Sequence, residues 1–244
     1  MKFCICFFGV VGRSLSDTIN SINNNIFDVL KEHNIEYDVL CHNILVDSIT
    51  NLRTGEKDAK VNNDDYKLLN PTIYIEDKQE DIDKLFKYEN YRADTTTDIY
   101  KIPGCPVIKN IIRQMYSIEK VTELWKSKKD YDLYIYLRPD LLYINKINVP
   151  QILENINKKN ILFTPNWGQG AQGINDRIYY GDYKTIQIFG NRINSLNNFT
   201  IDKGKVYNSE KHMKILTETY EIEKIFIDLK GNRVRVNGII VKEP

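Results

Sequence analysis

The first 45 residues constrain the fold more than any other part of the chain. "KFCICFFG", residues 2 to 9, is an apolar and aromatic run that ends at a glycine, the pattern of a buried strand. "SLSDTINSINNNIFDVLKEHN" follows, with Ser14 or Ser16 as a candidate N-cap and Ile19, Ile22, Ile26, Val29 and Leu30 at helical spacing. "EYDVLCHNI" then returns as a second short strand. Strand, helix and strand at this scale predict a βαβ unit, which makes the two strands parallel and the crossover right-handed.

The rest of the chain extends that unit. Residues 47 to 72 are polar and irregular and are read as a loop able to move. A short strand is expected near Ile73, a helix from about Asp77 to Phe86, and no clear period over residues 87 to 105. A long helix is expected after Pro106, which suits a first-turn position, continuing to about residue 128. "DLYIYL", "ILFTP" and "RIYYG" read as further strands, and "DYKTIQIFGNRINSL" and "SEKHMKILTETYEI" as helices, the second capped by Ser209. The tail "KIFIDLKGNRVRVNGIIV" reads as a hairpin turning at Gly231 and Asn232. The fold class expected is α/β: one Rossmann-like domain over 1–244, a mostly parallel central sheet flanked by helices.

Composition narrows the function classes. A net charge of +1 with no basic stripe gives no field to recruit nucleic acid. No apolar run approaches the ~20 residues needed to span a bilayer, and the apolar start leads straight into an amphipathic pattern, with no signal-peptide cleavage site. Cys4, Cys6, Cys41 and Cys105 lack metal spacing; free thiols suit a reducing compartment, so a cytoplasmic location is expected. Abundant isoleucine, asparagine and lysine, with alanine only at Ala59, Ala93 and Ala171, reflect AT-rich codon usage rather than a physical demand.

Three polar clusters fall at the expected carboxyl ends of strands, where open α/β sheets collect ligands. In "FFGVVGRS" a strand ends and a helix opens, so Gly9 allows close backbone approach and Arg13 adds a charge for an anion; a plain tight turn is the rival account. In "LRPD", Pro139 stops sheet pairing and displays Asp140 beside Arg138. The carboxylate is placed to hold a hard divalent ion, and the guanidinium either neutralises a diphosphate or pairs with the acid. In "TPNWGQGAQGINDRIYYGD", Trp167 on a Gly-rich loop offers a sugar-stacking face, or else a surface loop whose ring packs on the core, and Asp176 a general base. Glu210 and His212 in the first turn of a late helix are further candidates, against the rival of a dipole-complementing acid and a surface histidine.

The ordered set "CFFGVVGRS", "YDVLCHN", "IIRQMYSIEKVTEL", "YIYLRPDLLY", "NDRIYYGD" and "SEKHMKIL", spanning residues 3 to 217, resembles the GT-A-type glycosyltransferases, in particular small glycosyltransferase-like proteins of large DNA viruses. The resemblance implies a nucleotide-diphosphate sugar, with UDP as the expected nucleotide, over the first two strands, and a glycan or other hydroxyl acceptor, so that residues 1–145 would form the nucleotide-binding part and residues 146–244 the acceptor-side part. Phe8, Gly9, Arg13 and Ser14 would lie near the nucleotide, His42 or Asn43 near base or ribose, and Arg113 and Ser117 on the approaching helix. Asp140 would take the place of the last acid of the metal-binding Asp-any-Asp signature, holding Mn2+ or Mg2+ with His212 as a further ligand. Arg138 stands where the first acid of that signature is expected, so the alternative is that its guanidinium replaces part of the metal's charge. Asp176, with Glu210 as runner-up, would deprotonate the acceptor, inverting the anomeric centre, while Arg138 and the metal steady the leaving group. Trp167, Gly168, Asn175 and Arg177 would meet the sugar or acceptor, and loop 47 to 72 or 166 to 174 would close over them. If the chain is viral, its location would be the host cytoplasm. Two other classes compete: a non-catalytic glycan- or nucleotide-binding module on the same fold, and a sugar nucleotidyltransferase.

Overall fold

The computed structural model describes residues 1–51, 55–95, 98, 101–127 and 130–242. The leading apolar run is β1 (Lys2–Gly9), and α1 (Leu15–Ile22) continues through a π-helical stretch into α2 (Asp28–Glu32). β2 (Glu36–Leu45) returns parallel to β1, setting Phe8 opposite His42 and Gly9 opposite Asn43. After it come β3 (Ser48–Asn51), β4 (Glu56–Lys60), β5 (Ile73–Lys78), α3 (Gln79–Asp83) and the long α4 (Pro106–Lys126). The second half adds β6 (Leu133–Leu137), β7 (Leu141–Tyr143), α5 (Val149–Asn155), β8 (Ile161–Pro165) and β9 (Ile178–Gly181). It ends with α6 (Tyr183–Gly190), α7 (Ser209–Thr219), β10 (Glu223–Ile227), β11 (Gly231–Val234) and β12 (Ile240–Val241).

Seven strands form the central sheet in the order β10-β8-β9-β6-β1-β2-β5, drawing on both halves of the chain. All pairings are parallel except those of β9, which is antiparallel to both neighbours. Period-two alternation along β1 explains why both faces are covered. Phe3, Ile5 and Phe7 pack with α1 and α2, whereas Cys4, Cys6 and Phe8 pack with Ile118, Val121 and Trp125 of α4. The chain works outward from β1 to β2 and β5, then returns as β6 on the other flank of β1. That reversal of strand order opens a crevice at the carboxyl ends of β1 and β6.

β6 ends before Pro139, as the proline implies, and Arg138, Pro139 and Asp140 are the hinge by which the chain leaves the central sheet for a small one of order β12-β11-β7. Three expectations need correction. Residues 47 to 72 are structured as the β3–β4 hairpin and a 3-10 stretch, Asn63–Leu69, because buried Glu56 is tied to Arg13; residues 52–54 lie outside the described residues. The tail does not turn at Gly231. β10 follows a helical crossover and so pairs parallel with β8, and the hairpin is β11–β12, closed by Gly238 N–H to Arg235 O at 2.8 Å. The helix after Asp182 stops at Gly190, and Arg192–Phe199 continues as 3-10 turns. The long helix ends at Lys126, and residue 128 lies outside the described residues. Among the described residues no helix is long and apolar enough to cross a membrane.

Gly190 lets α6 pass close to Thr122 of α4. A Cβ there would overlap Thr122 Oγ1, which already bonds Tyr136 Oη at 2.6 Å. Gly190→Ala is expected to cost about 1–3 kcal/mol by overpacking, lowering the melting temperature by roughly 2–4 °C per kcal/mol. Gly231→Ala, whose Cβ would meet nothing nearer than 3.5 Å, should be near neutral in the same thermal scan. Equal midpoints for the two variants would contradict this packing.

Candidate active-site cleft

A cleft of about 640 Å³ lies over the crevice between β1 and β6. Its floor is Phe8, Gly9 and Val10 at the end of β1, and Arg138, Pro139 and Asp140 at the end of β6. Sheet register brings in the next pair of charges. Leu137 is opposite Ile178, so Arg138 N–H donates to Arg177 O at 3.2 Å, and Asp176 and Arg177 reach the same rim. α7 delivers Glu210, whose backbone carbonyl accepts from Ile174 N–H at 3.0 Å. Gly173 is required there, because a Cβ would overlap the Glu210 backbone. Ile44, Ile49, Val107 and Ile111 give the cleft an apolar wall.

The Arg138–Asp140 pair is closed. Arg138 donates from Nε to Asp140 Oδ1 at 2.7 Å and from Nη2 to Oδ2 at 2.6 Å, in the fork geometry of a strong ion pair. Arg138 Nη1 also donates to Gln114 Oε1 at 3.2 Å, and Gln114 Nε2 to Asp176 Oδ2 at 3.4 Å. Burial alone would raise the Asp140 pKa. The charge and bonds of Arg138, joined by Arg13 and Arg233, outweigh that and hold the carboxyl well below the usual range. Around this acid and buried Glu56 stand four guanidiniums, Arg13, Arg138, Arg233 and Arg235. Burial, then Arg233 and Arg13, push Arg235 down to about 10. Around Asp140, at the cleft floor, guanidiniums therefore outnumber carboxylates, although Arg233 and Arg235 do not line the cleft itself.

The opposite rim is acidic and its two carboxyls are driven apart. Asp176 is 8% exposed, and burial works to raise its pKa. Arg177, a bond from Ser209, Arg192 and Arg138 overcome that, so Asp176 stays ionised. Glu210 is pushed up to about 7, first by burial and then by the Asp176 charge; Arg177 Nη2 is 3.8 Å from its Oε1. Such a pair separates an anion from a proton acceptor that works near neutral pH.

Of the residues singled out in the sequence, Phe8, Gly9, Arg13, Arg113, Arg138, Asp140, Asp176, Arg177 and Glu210 line the cleft. Arg113 is turned to Asp83, at 2.7 and 2.5 Å, and Arg13 to Glu56. The others serve from behind. Ser117 Oγ accepts from Gly9 N–H at 2.7 Å and bonds His42 Nδ1 at 2.6 Å, while His42 Nε2 meets Asp77 at 3.1 Å, so this chain of bonds fixes the cleft floor. Asn43 Oδ1 holds Val11 N–H at 3.0 Å, and Ser14 Oγ donates to Val234 O at 3.0 Å. Asn175 is fully buried, tying Trp167 O to the backbone of Arg177 and Ile178.

Two placements correct the sequence reading outright. Trp167 packs on the core beneath its loop and donates Nε1–H to Leu229 O at 2.8 Å, and neither it nor Gly168 lines the cleft. His212 is 1% exposed, with Nδ1 on Tyr207 Oη at 2.7 Å and Nε2 on Ser195 Oγ at 2.8 Å; burial, then Arg192, lowers its pKa to about 3. The cap of α7 is Asn208, whose Oδ1 accepts from Lys211 N–H at 2.8 Å, rather than Ser209.

The expected divalent ion was assigned to Asp140 and His212, and these residues do not fit one. Both oxygens of the acid are bridged by Arg138, both nitrogens of the imidazole are engaged elsewhere, and among the described residues no three His, Cys, Asp or Glu side chains converge as ligands. Gln114 and the apolar wall went unremarked in the sequence. Val107, Asn110, Ile111 and Gln114 recur at helical spacing along α4 and all line the cleft, so that face was readable.

No family model matches the chain, and no curated protein matches it in sequence. Among solved structures it is similar to mouse xyloside xylosyltransferase 1 in its apo form, at 10% identity and TM-score 0.46, over 93% of this chain and 86% of that one. It is also similar to a glycosyltransferase involved in the glycosylation of the major capsid of PBCV-1, at 11% identity and TM-score 0.45, over 93% of this chain and 82% of the other. Likenesses of that strength bring no chemistry with them.

Proposed function

We propose that the cleft is the donor site of a glycosyltransferase that moves a sugar from a nucleotide-diphosphate sugar to a hydroxyl acceptor. The observation that carries this reading is the meeting, in one cleft at the strand-order reversal, of a guanidinium-rich base with a split pair of carboxyls. A volume of about 640 Å³ suits a ligand of nucleotide-sugar size. The apolar wall suits the flat base, the positive base suits a diphosphate, and the acid rim suits a sugar and its acceptor. The stretches that resemble GT-A-type glycosyltransferases support the same reading. Five of the six supply the walls, from Phe8 and Gly9 through Gln114, Arg138 and Asp176 to Glu210.

In this reading Glu210 takes the acceptor's proton and the acceptor oxygen attacks the anomeric carbon. The bond from that carbon to the phosphate oxygen breaks, and its electron pair leaves with the nucleoside diphosphate. Attack from the face opposite the leaving group inverts the centre. Guanidiniums oriented before the reaction stabilise the charge gathering on the diphosphate, the kind of contribution that dominates such steps.

A thermal-shift screen of UDP-, GDP-, CDP- and dTDP-sugars tests the proposal. Ligand at 100 times its Kd stabilises by about 2.7 kcal/mol, so one nucleotide class, with UDP expected, should raise the melting temperature. It should then release nucleoside diphosphate when an acceptor is supplied. No shift from any of the four would overturn the reading. A shift with pyrophosphate release would point to a nucleotidyltransferase, and binding without turnover to a non-catalytic module.

A further inference from the structure

We propose that the cleft holds its diphosphate without a divalent ion, on the Arg138 guanidinium, and that Asp140 acts as the positioning residue that aims it. The inference rests on the donor-site reading above and concerns how that site neutralises charge. A hard cation bound through protein carboxylates needs acceptor oxygens turned toward it. Asp140 has both oxygens committed to Arg138, at 2.7 and 2.6 Å, and its side chain is only 4% exposed.

The cation that Asp140 meets is thus built into the chain. Arg138 sits one residue beyond β6, between Gln114 on α4 and Asp140 at the hinge, with its side chain 19% exposed at the cleft floor. Two fixed acceptors set the plane of the guanidinium, and a planar fork held in place is the geometry that recognises phosphate oxygens. Arg13, Arg233 and Arg235 add positive charge around the same acid. Among the described residues Arg235 Nε, in a side chain buried on this side of the fold, meets no hydrogen-bond acceptor. Placing a further dication here would add repulsion where the structure already has more guanidiniums than carboxylates.

Calorimetric titration of the whole chain with UDP, GDP, CDP and dTDP, in EDTA and again in Mn2+, separates the outcomes. The proposal expects one of the four to bind with Kd values within about twofold in both buffers, and Arg138→Ala to weaken that binding by about tenfold or more. Arg138→Lys keeps the charge without the fork and should fall in between, which guards against misfolding of the alanine variant. Asp140→Asn keeps one acceptor and should weaken binding less than Arg138→Ala. Binding that appears only with Mn2+ would overturn the inference while leaving the donor site in place. It would assign the ion to the Asp176 and Glu210 carboxyls instead. Failure of all four nucleotides in both buffers would overturn the donor-site reading itself, and this inference with it.

Discussion

Glu210→Gln is expected to lower sugar transfer by about 10²–10⁴-fold, the usual contribution of a general base, while nucleoside-diphosphate affinity stays within about twofold. Glutamine keeps the shape and hydrogen-bonding reach of the side chain but cannot accept the proton. The wild-type rate should rise with pH along a limb centred near 7, where Glu210 loses its proton, because burial and then the neighbouring Asp176 charge place its pKa at about 7. Asp176→Asn removes that charge, so the limb should move to lower pH. The same titration has a stability signature. A carboxyl whose pKa is raised on folding contributes most below its unfolded value. That contribution is lost as pH rises from about 4.5, the ordinary carboxyl value, to about 7. Glu210→Gln should flatten this part of the stability profile. Transfer by Glu210→Gln at the wild-type rate would remove Glu210 from the chemistry.

The largest stability effect is expected at Asp140. It is 3% exposed, and Asp140→Ala leaves Arg138 without its partner among Arg13, Arg233 and Arg235. Breaking one side of a buried pair typically costs about 3–5 kcal/mol, which urea denaturation would read as a lower midpoint at unchanged slope. Replacing both partners with apolar residues of similar volume, Arg138→Met with Asp140→Leu, should recover most of that loss. It should not recover nucleoside-diphosphate binding, because the guanidinium is gone. Acid titration gives a second check. With a pKa held below 3.8 in the fold, Asp140 contributes stability that is present above 3.8 and fades as pH falls through the lowered folded value. The double variant should lack that loss. An Asp140→Ala protein as stable as wild type would show that the pair holds nothing together.

The sheet was legible where hydrophobic period and connection length agree. β1, β2 and β6 are short apolar runs bounded by glycine, polar residues or proline, and a helix between parallel strands leaves one handedness. β9 read as a strand, but its direction was not readable, because "RIYYG" has the same alternation in either sense. The tail misled for a different reason. Gly231 and Asn232 resemble a turn signal, yet Gly231 begins β11 and pairs with Tyr143. The β3–β4 hairpin is polar outside and latched by one buried acid, Glu56, which leaves no apolar pattern to detect.

At the cleft, charged residues placed by strand ends were found, since pairing must stop at Pro139 and the carboxyl ends of strands share one edge. What failed was the direction in which side chains face. His212 and Trp167 carry the right functional groups for a metal and a sugar. Both are instead satisfied by Tyr207, Ser195 and the Leu229 carbonyl, partners 5, 17 and 62 residues away. Asn175 and Ser117 likewise hold backbone rather than ligand. Asp176 was the first choice of base from the sequence; proposing Glu210 in its place rests on burial and on neighbouring charges, which follow from the assembled rim and not from spacing.

A co-crystal structure with the nucleoside diphosphate selected by the thermal screen tests the central claim most directly. The account predicts density for the base against Ile44, Ile49, Val107 and Ile111, and for the two phosphates within hydrogen-bond reach of the Arg138 guanidinium, with Asp140 still gripping its far edge. Phosphates bound elsewhere on the molecule, with the crevice between β1 and β6 empty, would contradict it.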